Sequence, residues 1–348
     1  MDRLFWMRWW RFDMKILAIE TSCDETAAAV WRDDRLVSNI IASQEVHNQY
    51  GGVVPELASR AHVKLILPIV QRALSEAGVH KDKIDGIAAT YGPGLAGSLL
   101  VGLNFAKAMA CSFNKPFIAV HHIEGHLFSN SVLETGPAPP FIALIISGGH
   151  TQLVLVKEWG KYDILGRTRD DAAGEAFDKV ARMLGLSYPG GPAIDQIAKE
   201  GNPDYVKFPK GSFKDNKLDF SYSGLKTAVL YHLQSLTEGE RAERRADVAA
   251  SFQKAAIAVL VERSLLALEK YNIAQLALAG GVACNSLLRA ELTQASEKQS
   301  FRLFYPPPIL CTDNAAMIAR AGKFHLEDGQ TSDFSISPRP CLPLSYQE

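Results

Sequence analysis

Cysteine is scarce in this sequence, and the cysteines form no recognisable motif. Their number is odd, and no two of them lie at Cys-x-x-Cys spacing: Cys23, Cys111, Cys284, Cys311 and Cys341. A disulfide framework or a cysteine-based zinc site is therefore not expected. This cysteine usage fits the reducing cytosol best.

An excess of charge of one sign is also lacking. The 348-residue chain has 37 Lys and Arg against 38 Asp and Glu, so a nucleic-acid partner would need a local basic face. After residue 13 there is no uninterrupted apolar run of about 18 residues, and we predict no membrane span. A hydrophobic share of 47% and a charged share of 22% are typical of a folded protein.

The first thirteen residues, MDRLFWMRWWRFD, differ from the rest in composition. Arg8 and Arg11 interrupt their apolar run and no small-residue cleavage site follows, so a signal peptide is not predicted. We interpret residues 1–13 as an N-terminal extension, either a mis-assigned start or a disordered segment, in preference to an interfacial membrane anchor.

The two halves of the chain open with the same pattern. Each has a buried apolar strand, a tight polar turn and two more strands, which predicts a repeated α/β lobe. The predicted domains are lobe I at 14–121, completed by 313–335, lobe II at 122–312 and a tail at 336–348. Strands are predicted at 15–20, 26–31, 35–42, 84–90, 116–121, 141–147, 151–156, 162–167, 275–279 and 301–304. Helices are predicted at 56–77, 97–111, 122–133, 174–186, 192–201, 225–235, 241–269, 283–294 and 314–325, with a loop at 202–223.

Polar turns follow the first strand of each half, at Glu20–Thr26 (ETSCDET) and Ser147–Thr151 (SGGHT). Each could be an ordinary hairpin, but paired glycines also let the backbone approach an anion closely. Their matching positions resemble the actin, hexokinase and Hsp70 superfamily, in which two such turns hold nucleotide phosphates. A third candidate, Gly280-Gly281, suits contact with a flat ligand or is a simple strand–helix turn.

His122 and His126 in HHIEGH are spaced to share one face of a helix. Two packed histidines would have the same spacing, so a metal site requires a third ligand, for which Asp313 is the best candidate. This set suits iron(II) or zinc, and the residues do not choose between them. Glu124 lies two residues from each histidine and, at roughly 100° per residue, points away from them. A peptidase of the His-Glu-x-x-His type is therefore disfavoured.

Four further motifs, together with the two turns and the histidine pair, occur in the same order in one known family. The likeness to that family runs from about Met14 to Asp333. The sequence resembles the tRNA N6-adenosine threonylcarbamoyltransferases. The resemblance implies an α/β, actin-like fold of two repeated lobes with a nucleotide cleft between them. The four motifs are 91–98 (YGPGLAGS), 171–178 (DAAGEAFD), 188–192 (YPGGP) and 220–226 (FSYSGLK).

The resemblance also implies roles for particular residues. Asp24 and Glu25 would act in group transfer, and Lys226 would lie in a loop near the nucleotide. We favour Asp24 as the base over a purely structural role for it in the turn. One divalent transition metal, Fe²⁺ in preference to Zn²⁺, would be bound by His122, His126 and Asp313. Threonylcarbamoyl-AMP would be bound by Ile145, Ile146, Ser147, Gly148, Gly149, Asp178, Gly191, Asp195 and Asn285.

The implied reaction moves the threonylcarbamoyl group from threonylcarbamoyl-AMP to N6 of the adenosine 3′ of the anticodon, in tRNAs reading codons that start with A. The implied partners are a shorter non-catalytic paralogue of the same fold and a small P-loop ATPase, in the cytoplasm and with no membrane. Arg241, Arg244 and Arg245 alternate with glutamates, which favours a solvated helix face over an RNA contact.

Two other functions fit the same fold. A sugar kinase would bind magnesium and use a carboxylate base, but imidazole ligands suit transition metals better. A non-catalytic scaffold is disfavoured because the whole metal-ligand set is present.

Overall fold

The computed structural model describes residues 14–133, 135–211, 213 and 215–344. The extension at 1–13 and the last four residues of the tail lie outside this range. The strands are β1 (Lys15–Glu20), β2 (Glu25–Arg32), β3 (Arg35–Ser43), β4 (Gly86–Gly92), β5 (Phe117–His121), β6 (Phe141–Ile146), β7 (Thr151–Glu158), β8 (Lys161–Arg167), β9 (Gln275–Ala279) and β10 (Arg302–Phe304). The helices are α1 (Pro55–Glu76), α2 (Ala96–Phe113), α3 (His122–Ser129), α4 (Ala173–Met183), α5 (Gly190–Ile197), α6 (Ser223–Ser235), α7 (Glu238–Glu243), α8 (Arg245–Tyr271), α9 (Ser286–Gln299), α10 (Pro308–Cys311) and α11 (Ala315–Glu327).

Each half contains a five-stranded sheet of the same topology. The first has the order β3-β2-β1-β4-β5 and the second, read from its other edge, β8-β7-β6-β9-β10. In both, three antiparallel strands are followed by two parallel ones: Ala18 pairs with Ala29 and Ala88, and Ala143 with Val154 and Ala277. The prediction of a repeated α/β lobe is confirmed.

The central strand of each sheet is apolar because both of its faces are covered. All six residues of β6 are buried, as are those of β1 after Lys15. In the first sheet, Leu17 and Ile19 pack in one core with Ile66 of α1 and Leu103 of α2. In the second, β6 packs in a core with α4, α6 and α8.

The compact units divide the chain after residue 135, not at the predicted 121/122 boundary. Residues 14–47, 53–135 and 313–344 form the first unit, and 48–52 with 136–312 the second. The difference arises because α3 is buried along its whole length and packs against α11 and β5. The described part of the tail also belongs to the first unit, where Arg339 N donates to Tyr91 O at 2.7 Å.

Several predicted boundaries differ from the structure for local reasons. The helix predicted at 122–133 ends at Ser129, and the one predicted at 241–269 is interrupted at Arg244. The helix predicted at 283–294 begins later, after a 3-10 turn at Gly281–Cys284, because Asn285 caps α9 by accepting from Leu288 N. The short helix α10 was not predicted.

By length and composition, one helix among the described residues, α2, could cross a membrane. Its side chains Leu99, Leu103 and Ala106 are fully buried, and the last two pack in the core against the first sheet. The structure therefore accounts for the apolar character of α2 as core packing.

Candidate functional site

The predicted metal ligands come together within the first unit. Asp313 Oδ1 lies 3.1 Å from His126 Nε2 and 3.5 Å from His122 Nε2. Among the described residues, these three form the one group whose potential ligand atoms all lie within 4.8 Å of one another. His122 opens α3, His126 follows one turn later, and Asp313 precedes Asn314, the residue that caps α11. We call these three residues the metal triad.

The ring of His122 is oriented from behind by buried polar groups. Its Nδ1 lies 3.1 Å from Ser22 Oγ and 3.2 Å from Glu20 Oε2. Burial opposes a charged imidazole, but Asp313 and Glu20 outweigh it and raise the pKa of His122 to about 9. A carboxylate behind a histidine leaves the other ring nitrogen free to bind a metal, which is the usual arrangement at metal sites.

The surroundings of the triad carry an excess of acid. Burial and the carboxylates of Asp313 and Asp24 together raise the pKa of Glu25 well above its usual value. His126 Nδ1 is buried without a hydrogen-bond partner in the described part of the chain. Clustered acids around two imidazoles are stabilised by a cation, so the residues present fit a divalent metal.

Glu124 faces away from the triad, as its spacing predicts. Its Oε2 pairs with His325 Nε2 on α11 at 2.8 Å. The glutamate that a His-Glu-x-x-His peptidase would need beside its metal is thus engaged elsewhere, and the argument against a peptidase is confirmed in geometry.

The second candidate site lies within the second unit, at the ends of β6 and β9. Ser147 N donates to His150 O at 2.8 Å and closes the predicted turn. A Cβ on Gly148 or Gly149 would meet nothing within 4 Å, so this backbone is open to a ligand. By contrast, a Cβ on Gly174 would lie 2.6 Å from Ser147 O, so the start of α4 packs directly on the turn.

The remaining predicted nucleotide residues are linked to this turn by a closed series of contacts. Asp178 Oδ1 on α4 accepts from Gly190 N at 2.7 Å, which joins α4 to α5. On α5, Asp195 accepts from Ser286 Oγ at 2.8 Å, beside Asn285. A Cβ on Gly280 would lie 2.4 Å from Ile146 O, which returns the series to β6. We call this arrangement the glycine ring. Its residues are Gly148, Gly149, Asp178, Gly191, Asp195, Gly280 and Asn285.

Two predictions need revision of detail, and a third is supported. Ile145 and Ile146 are fully buried, so only their backbone could meet a ligand. Lys226 was expected in a loop but lies in α6, where its ammonium pairs with Asp171. Arg244 pairs with Glu243 and Asp247, which supports a solvated helix face.

Spacing did not identify the residues that support the two sites. Glu20 and Ser22 lie in the predicted turn at Glu20–Thr26, and Gln253 accepts a hydrogen bond from Asn285 Nδ2 at 2.9 Å, but no motif spacing marks any of the three. Glu20 did carry one signal: a charged residue at the end of an otherwise apolar buried strand requires a partner.

Together the repeated sheets, the metal triad and the glycine ring define an actin-like α/β protein with a candidate metal site and a candidate nucleotide site. A family model described as tRNA N6-adenosine threonylcarbamoyltransferase matches residues 35–320. The chain belongs to this family and is a transferase.

Curated relatives agree with this assignment, and solved structures share the fold. The tRNA N6-adenosine threonylcarbamoyltransferase of Clostridium kluyveri is 52% identical over 95% of this chain and 98% of its own, and that of Clostridium perfringens 54% over 94% and 98%. Among solved structures, HypF from T. kodakarensis has a TM-score of 0.63 at 15% identity, over 91% of this chain and 48% of its own. The activator of the 2-hydroxyisocaproyl-CoA dehydratase from Clostridium difficile has 0.50 at 13%, over 93% and 100%. The two structures show the likeness of fold alone.

Proposed function

We propose that this chain transfers the threonylcarbamoyl group from threonylcarbamoyl-AMP to N6 of the adenosine 3′ of the anticodon, in tRNAs reading codons that start with A. The products are the threonylcarbamoylated tRNA and AMP. The observation that carries the proposal is the presence, in a chain of this family, of an intact metal triad with its supporting carboxylate.

The proposed metal ligands are His122, His126 and Asp313, and Fe²⁺ is favoured over Zn²⁺. A bound divalent ion would supply Lewis-acid polarisation of donor oxygens. The chain's own contribution is to hold the ligands in place: Glu20 and Ser22 fix the ring of His122, and Asn314 fixes the start of α11 beside Asp313.

The glycine ring is the proposed site for the adenylate. Gly148, Gly149 and Gly191 leave open space above their backbone, so their N–H groups can approach phosphate or ribose oxygens without a Cβ between them. Asp178 accepts a hydrogen bond from Gly190 N, which fixes the backbone next to Gly191.

Asp24 is the proposed general base. The N6 amine attacks the carbamoyl carbon, the bond from that carbon to the phosphate oxygen breaks, and AMP leaves with the bonding electrons. The amine loses a proton as the new bond forms, and Asp24 would receive it. Glu25 hydrogen-bonds to Asp24, and burial together with the carboxylates of Asp313 and Asp24 raises the pKa of Glu25 well above its usual value. An adenosine in a single-stranded loop is accessible to such attack.

The proposed partners are tRNA, a shorter non-catalytic paralogue and a small P-loop ATPase, and the proposed location is the cytoplasm. Exposed large apolar side chains on α1 and α2 support a protein partner: Val63 and Leu67 share one face of α1, and Leu100 lies on α2, the helix packed against it.

Reconstitution with labelled threonylcarbamoyl-AMP, Fe²⁺, the proposed protein partners and unmodified tRNA tests the proposal. We expect label in tRNA with the wild-type chain and none with His126→Ala, whose fold is checked by circular dichroism. Exposed His80 supplies the control His80→Ala, which should transfer at the wild-type rate. Full transfer by a folded His126→Ala variant would refute the metal assignment, and sugar phosphorylation without a tRNA product would favour a kinase.

A further inference from the structure

A buried histidine outside the metal triad joins the two ends of the acidic turn. His62 on α1 is 0% exposed. Its Nε2 lies 3.0 Å from Cys23 O, and its Nδ1 lies 2.8 Å from Thr26 Oγ1. Cys23 and Thr26 are the residues directly before and after Asp24 and Glu25. One imidazole therefore spans the segment that carries the proposed base.

These two contacts determine which ring nitrogen of His62 carries the proton. A carbonyl oxygen can only accept, so Nε2–H donates to Cys23 O and Nδ1 accepts from the hydroxyl of Thr26. Burial lowers the pKa of His62, which keeps the ring neutral with a single proton. Gln44, whose Oε1 lies 3.0 Å from His47 Nε2, packs against the ring and limits its rotation.

The rest of the turn is held at other points. Leu95 N donates to Ser22 O at 2.8 Å before the acidic pair, and the β2 ladder begins at Glu25 after it. The contact of His62 with Cys23 O lies between these restraints, where the chain changes direction before β2, and its contact with Thr26 Oγ1 lies on β2 itself. Loss of the imidazole would therefore free the backbone beside Asp24 while the flanking contacts remain.

We propose that His62 is a positioning residue for the transfer reaction, fixing the backbone on both sides of Asp24 and Glu25 so that the Asp24 carboxylate is aimed at the acceptor amine. The inference rests on the proposed function, which assigns Asp24 its role. His62 is fully buried, so we assign its ring no contact with either substrate. Its removal should therefore lower kcat and leave substrate binding intact, because a misdirected base affects the transition state more than the ground state.

The variants His62→Ala, His62→Gln and Thr26→Val test this role, with the exposed His80→Ala as matched control. For His62→Ala we expect kcat to fall about 10- to 100-fold, with KM for tRNA and bound Fe²⁺ unchanged. His62→Gln keeps a donor for Cys23 O and should recover part of the loss. Thr26→Val, which removes one of the two contacts, should show an intermediate loss. Rates are measured well below the melting temperature of each variant.

Hydrogen–deuterium exchange of the backbone amides at 22–27 gives a readout that does not depend on activity. We expect faster exchange there in His62→Ala and unchanged exchange in His80→Ala. Unchanged exchange in His62→Ala overturns the inference whatever the rates. Faster exchange with a wild-type kcat overturns the positioning role. If the wild-type chain transfers nothing under any condition, the proposed function fails, and exchange still decides whether His62 holds the turn.

Discussion

At the scale of single residues, the charge on Glu20 distinguishes a metal site from a packed histidine pair. Glu20 is 0% exposed and faces His122 Nδ1. Glu20→Gln keeps the shape of the side chain and removes its charge, so the ring of His122 loses a partner that orients it and strengthens its other nitrogen as a ligand. We expect metal affinity to fall about 10- to 100-fold. Competition between the metal-free chain and a chelator for Fe²⁺ measures this affinity.

The control for this variant is Glu76→Gln, because Glu76 is half exposed at the end of α1 and pairs only with a neighbouring arginine in the described contacts. It should bind Fe²⁺ as the wild-type chain does. Equal affinity in Glu20→Gln and Glu76→Gln would mean that the carboxylate of Glu20 does not support the triad.

The backbone conformation and close packing require glycine at position 280 but not at the adjacent position 281. Gly280 has φ +89°, and a Cβ there would lie 2.4 Å from Ile146 O, whereas a Cβ on Gly281 would meet nothing within 4 Å. Gly280→Ala should lower the free energy of unfolding by about 1–3 kcal/mol or more, since both strain and a clash with backbone oppose it. Gly281→Ala should change it by less than about 1 kcal/mol. Denaturant unfolding of the two variants compares them directly, and equal losses would contradict the role assigned to Gly280.

Only part of this residue-level detail could be predicted from the sequence. His122 and His126 were identified because their spacing is local, and helical geometry alone brings them together. Glu20 and His122 are 102 positions apart, and His62 and Cys23 are 39 apart. Strand order and helix packing bring such pairs together, and the spacing of residues within a motif carries no information about either.

At the scale of elements, the packing of α3 on α11 contains an ion pair that depends on pH. Burial alone would lower the pKa of His325, but its hydrogen bond and charge interaction with Glu124 outweigh burial and raise it above the ordinary 6.5. The stabilisation from the pair of His325 and Glu124 is fully present below pH 6.5, the ordinary pKa of histidine. It is lost as the pH rises through the higher pKa of His325 in the folded state. His325→Gln should therefore cost about 1.5–3 kcal/mol at low pH and less at high pH.

Melting temperatures of the wild-type chain and His325→Gln, measured at about pH 6 and about pH 9, test this linkage around the ordinary histidine pKa. The difference between the two proteins should be larger at the lower pH. Glu124→Gln removes the other partner and should show the same trend. A difference that is constant with pH would show that the imidazole of His325 does not gain its charge in this pair.

Strands were predicted more accurately than helix ends, for a physical reason. β1 and β6 are covered on both faces, so each appears as an unbroken apolar run between polar turns. A capping box at Thr237 and Glu240 starts the short helix α7, and Arg244 separates the end of α7 from the start of α8. Such breaks change only a few hydrogen bonds and leave the 3.6-residue pattern almost intact, so periodicity does not detect them.

At the scale of the whole molecule, the first unit is completed by residues from the other end of the chain. α11 packs against β1, β2 and α3, and the segment after it continues along the same unit. Ser332 N donates to Phe117 O at 2.7 Å, and Ala119 N donates to Ser332 Oγ at 2.9 Å, so this segment adds to the edge strand β5. The sequence suggested only that residues 313–335 complete lobe I, because the later residues have no apolar period.

Removal of the residues after Thr331 should therefore destabilise the first unit selectively. The truncated chain loses the bonds of Ser332 to β5, the stacking of Phe334 on Phe117 at 6.1 Å and the bond from Arg339 N to Tyr91 O. We expect a loss of about 3 kcal/mol in the free energy of unfolding of this unit, at about 1 kcal/mol for each of these three hydrogen bonds. Hydrogen–deuterium exchange should show faster exchange at 117–120 and unchanged exchange at 142–146 in β6, which serves as the internal control. Equal acceleration in both strands would mean that the segment stabilises the chain as a whole, and no acceleration in β5 would mean that it contributes nothing to the sheet.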